Sequence, residues 1–371
     1  MALSVTTLDS AYFTSQVPDI TISTSLSSAM FILKRIIHTM YNGDTYDSVF
    51  STSYYVVNGE VTVSDIRSII ENYMLTNDLA VAEFEIEVRS GTDNSTQSIT
   101  VVYCKQVTQG LSAEYFLTNH FLSSESQRFI TPDAEIPLQY YFPHTEYDYT
   151  PGHYRIVTFT YRIVLRLADG TLETYTSTSG GRSNWGMKTL NVKLSNIRSM
   201  VSSYGACDIL SFSIIVSGRR ATFYVDNRHS QRQFYFRNAF NVWELAIIPA
   251  SQKTLTETES SMALCGDTFI PYDIEHKRTF EVQTAPLLLS HAKWMEQLVT
   301  SREIRVKDTS GTPLAQLPQI LIVDYTFEVD DAPGAINTFN FTWKYANQRS
   351  YINLSHVTAG IFSEQFTEQF L

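Results

Sequence analysis

The segment Ala82-Glu-Phe84-Glu-Ile86-Glu-Val88-Arg alternates apolar and charged residues without a break. Successive side chains of a strand point to opposite faces, so Phe84, Ile86 and Val88 are expected to turn inward and Glu83, Glu85 and Glu87 outward. The polar run Gly91 to Gln97 then returns the chain into Ile99-Thr-Val101-Val-Tyr103, an antiparallel partner. Two further hairpins follow. Tyr154 to Leu167 meets Thr171 to Tyr175 across Asp169-Gly170, and Ile209 to Val216 meets Ala221 to Val225 across Gly218. Glycine supplies the positive φ that such tight turns require. Upstream of about Val57, short apolar runs such as Ala29-Met-Phe-Ile-Leu33 lie between the turn signals Asn42-Gly43-Asp44 and Asn58-Gly59, and also read as strands.

The period changes in two places. Ile66, Ile69, Ile70 and Tyr73 share one helical face behind a capping candidate, Ser64, with Asp65 in the first turn, which predicts a helix over 64–75. Trp294, Met295, Leu298 and Val299 do the same behind Ser290, a helix near 290–300. Around the second helix, strands are expected at 234–237, 242–248, 278–282, 304–306, 319–329 and 338–345, with a polar stretch before Arg278. The chain therefore divides into an N-terminal β-rich region over 1–232, a C-terminal β module over 233–350, and a terminal segment over 351–371. In that last segment Ile361, Phe362, Phe366 and Phe370 recur at helical spacing. A stripe of this size cannot bury itself, so Phe362, Phe366 and Phe370 are expected to dock on the body or on a neighbouring subunit. Deleting residues 356–371 is expected to leave a folded chain that assembles poorly, as sedimentation would detect.

Composition strengthens the β reading. Aromatics reach 13% of 371 residues and charged residues only 18%, below the roughly 25% usual in globular domains. Aromatic and β-branched residues favour pleated sheet. The expected fold is mainly β, two antiparallel β-sandwich or barrel modules, each with a packed short helix. The net charge of −11, with scattered basic residues, argues against direct nucleic-acid binding. No stretch is apolar enough to span a bilayer, and Met1 to Gln16 lacks the pattern of a secretory signal. The three cysteines, Cys104, Cys207 and Cys265, read as reduced, buried thiols.

Candidate chemistry is thin. His144, Glu146 and Asp148 fall on one side of an extended chain, with His153 nearby, but the spacing is common and has no second His/Cys pair, so a surface loop without metal is expected. Tyr140, Tyr141, Tyr147 and Tyr149 belong to an aromatic-dense stretch that can anchor a partner or stack on sugar, or pack within the domain. Gly180-Gly181-Arg-Ser-Asn184 lacks the lysine and helix of a phosphate-binding loop and reads as a plain connection. No nucleophile stands in a recognisable elbow. No enzyme activity and no cofactor are expected. Glu135, Glu146 and Asp148 are the nominal carboxylates a glycosidase would need.

Several segments carry a resemblance. Phe236-Arg-Asn-Ala-Phe240-Asn-Val-Trp-Glu244, Arg278-Thr-Phe-Glu-Val-Gln-Thr-Ala-Pro286 within Tyr272 to Pro286, Trp294-Met-Glu-Gln-Leu298-Val-Thr-Ser301, Phe341-Thr-Trp-Lys-Tyr345-Ala and the stretch Gly59 to Met74 resemble virion proteins of tailed phages and prophages from anaerobic gut bacteria. Those proteins are assigned to the tail or baseplate. The resemblance implies a β-rich, tail-tube-like or immunoglobulin-like structural subunit of the virion, made in the host cytoplasm. Its partners would be copies of itself and neighbouring tail or connector proteins. The alternative is a fibre or adhesin module that binds a host-surface glycan.

Overall fold

The computed structural model describes residues 2–39, 43–106, 110–144, 155–227, 232–265, 267–287, 289–307, 312–327, 330, 332, 335 and 337–347; within its strands, the side chains of 155, 259, 264, 265, 271–276 and 327 lie outside the description. The fold is mainly β, with 57% of the described residues in strands and 15% helical. The chain forms two compact units, one comprising Met1–His229 with Arg237–Leu245, the other Ser230–Phe236 with Ala246–Leu371.

The elements run β1 (Ser4–Val5), β2 (Ala11–Phe13), β3 (Ile20–Ser23), β4 (Ser28–Ile37), β5 (Thr45–Tyr55), β6 (Glu60–Val63), α1 (Ile66–Thr76), β7 (Val81–Ser90), β8 (Asp93–Val102), α2 (Ala113–Asn119), β9 (Gln127–Ile130) and β10 (Glu135–Phe142). They continue as β11 (Arg155–Leu167), β12 (Leu172–Ser183), β13 (Gly186–Lys193), α3 (Leu194–Met200), β14 (Cys207–Val216) and β15 (Arg219–Val225). The remainder is β16 (Arg232–Arg237), β17 (Trp243–Ile248), β18 (Ala250–Cys265), β19 (Thr268–Thr284), α4 (Leu289–Val299), β20 (Ile304–Val306), β21 (Gln319–Phe327) and β22 (Phe339–Tyr345).

In the first unit, β2-β8-β7-β4-β5 and β12-β11-β14-β15-β9 are five-stranded sheets. Smaller sheets β1-β3-β6 and β10-β13 accompany them. The three hairpins read from alternation form as expected: β7 with β8, β11 with β12 and β14 with β15. Ser217 and Gly218, both at positive φ, make the two-residue turn between β14 and β15. The sheets are mainly antiparallel, as expected, with two parallel pairs at their margins, β2 with β8 and β9 with β15. No sheet closes into a barrel among the described residues. The first unit also holds three helices where one was expected; α2 and α3 span only seven residues each, too short for a periodic stripe to stand out.

Helix α1 lays Ile66, Ile70 and Met74 against Phe31, Leu33, Phe84, Ile86 and Val88, all fully buried. Its cap position is taken by Asp65, and no side chain caps it, so Ser64 does not play the part expected of it. The outward face of β7 is also not what alternation predicts. Glu87 is buried, and Lys34 of β4 donates to both Glu85 and Glu87, at 3.1 and 2.7 Å, while Arg89 reaches Glu87 at 2.5 Å. Lys34 from the neighbouring strand and Arg89 from β7 itself thus cover Glu85 and Glu87.

Gly180 and Gly181 are not a loop but part of β12. A Cβ on Gly181 would stand 3.3 Å from the Phe159 ring, so glycine there lets the aromatic lie against the strand. Cys104 is a buried free thiol whose burial pushes its pKa up to about 11; Cys207 is only half-buried.

The second unit is one seven-stranded sheet, β17-β16-β20-β21-β22-β19-β18. On one face, α4 buries Trp294, Met295, Leu298 and Val299 against Phe234, Phe236, Phe280, Phe341 and Trp343. This matches the helix expected near 290–300. On the opposite face, β18, β19 and β22 carry Ser251, Lys253, Glu281, Gln283, Asn340 and Thr342, whereas β16, β17 and β21 place Tyr235, Ile247 and Leu321 there.

Candidate assembly arm and a buried imidazolium

The polar stretch before Arg278 is itself a hairpin. Strands β18 and β19 are 16 and 17 residues long and pair from Ala250 with Thr284 out to Cys265 with Thr268, with one shift at Ser261/Met262. Among the described residues the sheet supports only its base, since β22 pairs with β19 over Phe280–Gln283. Residues 255–265 and 268–279 therefore form a two-stranded ribbon beyond the sheet, about 35 Å long at the usual rise of a strand. Met262, Phe269 and Ile270 on it are 59%, 67% and 48% exposed, an unusual outlay of large apolar side chains. An isolated two-stranded ribbon is at best marginally stable in water.

At the arm's base the polar face of the sheet forms a groove of about 460 Å³. Its floor is two cross-strand rows. Lys253, Glu281, Thr342 and Asp324 align in one, with Lys253 3.8 Å from Glu281. Ser251, Gln283, Asn340 and Thr326 align in the other. These groups offer donors and acceptors with little net charge.

The first unit holds a different kind of site. His38 Nδ1 lies 2.8 Å from Asp44 and Nε2 2.7 Å from Glu83. Ionised carboxylates only accept, so both ring nitrogens must donate and His38 is an imidazolium. Tyr141 donates its hydroxyl to the other Glu83 oxygen at 2.5 Å. The His144 ring stacks on His38 at 3.8 Å and meets Trp185 edge-on at 4.9 Å. Burial works against the charge on His38, but its bonds to Glu83 and Asp44 outweigh that and hold its pKa above the ordinary value. Burial likewise raises Glu83, yet His38 and Tyr141 draw it below the usual carboxylate range.

The signs fix a pH profile. A raised histidine contributes stability fully below its ordinary value near 6.5, and that contribution disappears as pH climbs through the folded value. A depressed glutamate contributes above its ordinary value near 4.5 and is lost as pH falls through its folded value. The melting temperature of the first unit is expected to drop as pH rises above about 6.5 and through the raised folded value of His38. In His38→Phe that alkaline drop disappears; an unchanged slope in the variant would assign it to other groups.

Of the aromatic interface candidates, Tyr140 and Tyr141 are in the core, 5% and 6% exposed, and their rings are not available to a partner in the folded unit. Tyr140 packs on Phe121 and Phe142, and Tyr141 anchors Glu83. Tyr147, Tyr149, Glu146, Asp148, His153 and the terminal Phe362, Phe366 and Phe370 lie outside the described residues. Glu135 is paired with Lys193 at 2.9 Å. Among the described residues no group of three His, Cys, Asp or Glu could hold a metal ion, and no helix is long and apolar enough to cross a membrane.

No family model and no curated protein matches the chain. Among solved structures it is similar to one described as the crystal structure of CBD12 from CALX1.2, at 11% identity and a TM-score of 0.14, over 56% of this chain and 76% of that one. So low a score carries no argument about this protein. The reading of its function therefore rests on the arm and on the sequence motifs.

Proposed function

We propose that the chain is a non-enzymatic structural subunit of a tailed-phage particle, placed in the tail, baseplate or connector, and built to assemble with copies of itself and with adjoining virion proteins. The single observation that carries the assembly role is the unsupported ribbon of β18 and β19, two strands that leave their sheet with large apolar side chains exposed. A folded monomer gains nothing from such a projection, whereas a neighbour that adds a strand to it satisfies a row of backbone groups at once. The phage attribution rests on the resemblance of the motifs around Phe236, Arg278, Trp294 and Phe341.

Replacing residues 255–279 by an Asn-Gly turn tests this reading. Sedimentation and electron microscopy are expected to find the parent in rings or fibres, and the shortened protein monomeric with its melting temperature within a few degrees. A shortened protein that assembles as the parent does, or a parent monomeric at every concentration, would refute the role.

A second reading, a glycan-binding module, is favoured by the groove beside Lys253, whose hydroxyl, amide and carboxylate rows suit an uncharged polyhydroxylated ligand. Under this reading Asn340→Ala together with Gln283→Ala abolishes a glycan-array signal and leaves assembly intact. The absence of any array signal from the parent would remove it.

A further inference from the structure

The arm needs an edge to pair with, and the first unit offers one of matching length. Strand β12 ends its sheet and is 12 residues long, about the length of the free ribbon. It pairs with β11 in twelve successive positions without a register shift, so its outer edge is straight. Natural edge strands are usually blunted by lysine, proline, bulges or a covering element. Leu172-Glu-Thr-Tyr-Thr-Ser-Thr-Ser-Gly-Gly-Arg-Ser183 contains neither lysine nor proline, no bulge interrupts it, and its two charges, Glu173 and Arg182, lie next to its ends and leave 174–181 uncharged. Strand β5 is the nearest competitor in length, but its pairing with β4 is shifted at Leu33/Lys34 and Tyr73 of α1 reaches across to its Asp47 at 3.3 Å. Among the described residues, the other terminal strands of the first unit and β17 are shorter: β1, β2, β6, β9 and β17 have six residues or fewer, and β10 and β13 have eight.

On the arm, β18 is terminal in its own sheet, and its outer edge runs the full 16 residues from body to tip. It too lacks proline, and its one lysine, Lys253, sits at the base. Two long edges without proline in one chain are a liability unless they meet. We infer that the β18 edge of one copy adds to the β12 edge of a second copy, extending that copy's five-stranded sheet by the two strands of the arm. The inference rests on the assembly role proposed above and names its partner. Donor and acceptor are different surfaces, so the contact is heterologous: every copy gives one arm and receives one, and the product is a ring if the rotation closes and a fibre if it does not.

The test separates donor from acceptor. The protein with residues 255–279 replaced by Asn-Gly keeps β12 but has no arm. For the acceptor, Ser177→Pro and Thr178→Pro are made separately. Adjacent residues of a strand aim their N–H groups to opposite sides, so one proline removes a bond to β11 and the other only an outward donor. The variant that melts like the parent is used. Each partner alone is expected to be monomeric by native mass spectrometry, and an equimolar mixture is expected to give a one-to-one dimer and nothing larger. If the proline variant assembles as the parent does, β12 is not the acceptor, although the arm's role stands. If the mixture stays monomeric, the pairing of these two edges is wrong. If the armless protein still assembles, the assembly reading itself fails.

Discussion

Glu244→Ala is expected to destabilise the first unit by about 3–5 kcal/mol. Glu244 receives a hydrogen bond from Arg128, and the two side chains are only 2% and 4% exposed. Arg128 also donates through Nε to the Glu125 carbonyl at 3.1 Å and to the Ser123 hydroxyl, so the guanidinium is held where it is. Removing the carboxylate leaves a cation in the interior that cannot swing to water. The pair itself contributes little net stability, because both charges lost their hydration on folding. Arg128→Met with Glu244→Leu is therefore expected to return to within about 1 kcal/mol of the parent. Denaturant midpoints of the three proteins check this. A single variant within about 1 kcal/mol of the parent would mean that the site relaxes or hydrates.

Trp343→Ala is expected to cost the second unit about 3–5 kcal/mol. Its indole stacks on Phe280 at 4.0 Å, meets Tyr345 edge-on at 5.2 Å and Phe234 at 6.1 Å, and is 2% exposed. The ring joins the base of the arm to the centre of the sheet, since Phe280 is the β19 residue opposite Trp343. Its Nε1 is buried with no hydrogen-bond partner among the described residues. Trp343→Phe then gives up volume but also relieves an unmet donor, and is expected to cost only about 1 kcal/mol. Fluorescence-monitored unfolding of the transition belonging to this unit separates the two outcomes.

Strands were legible where an unbroken alternation lay over a core, but β10, which buries Ile136, Leu138 and Phe142, was not read. Phe84, Ile86 and Val88 alternate because one face of β7 packs on α1, and α4 showed itself through Trp294, Met295 and Leu298 for the same reason. The arm left no such mark. Thr254, Thr256 and Ser260 lie in the ribbon opposite residues of β19, and without a buried face among the described residues there is no alternation to read. Its β-branched threonines were the one available signal. The site at His38 was illegible for another reason: His38, Asp44, Glu83, Tyr141 and His144 come from four separated stretches, and only strand register brings them together. Tyr140 and Tyr141 misled because aromatic density marks a packed strand as readily as an exposed patch.

Backbone hydrogen exchange along residues 254–279, measured on the assembled protein and on a dilute monomer, tests strand addition by the arm most directly. Amides of the ribbon's outer edge are expected to exchange quickly in the monomer and to become as protected as the sheet core on assembly. Exchange that is equally fast in both states would contradict it.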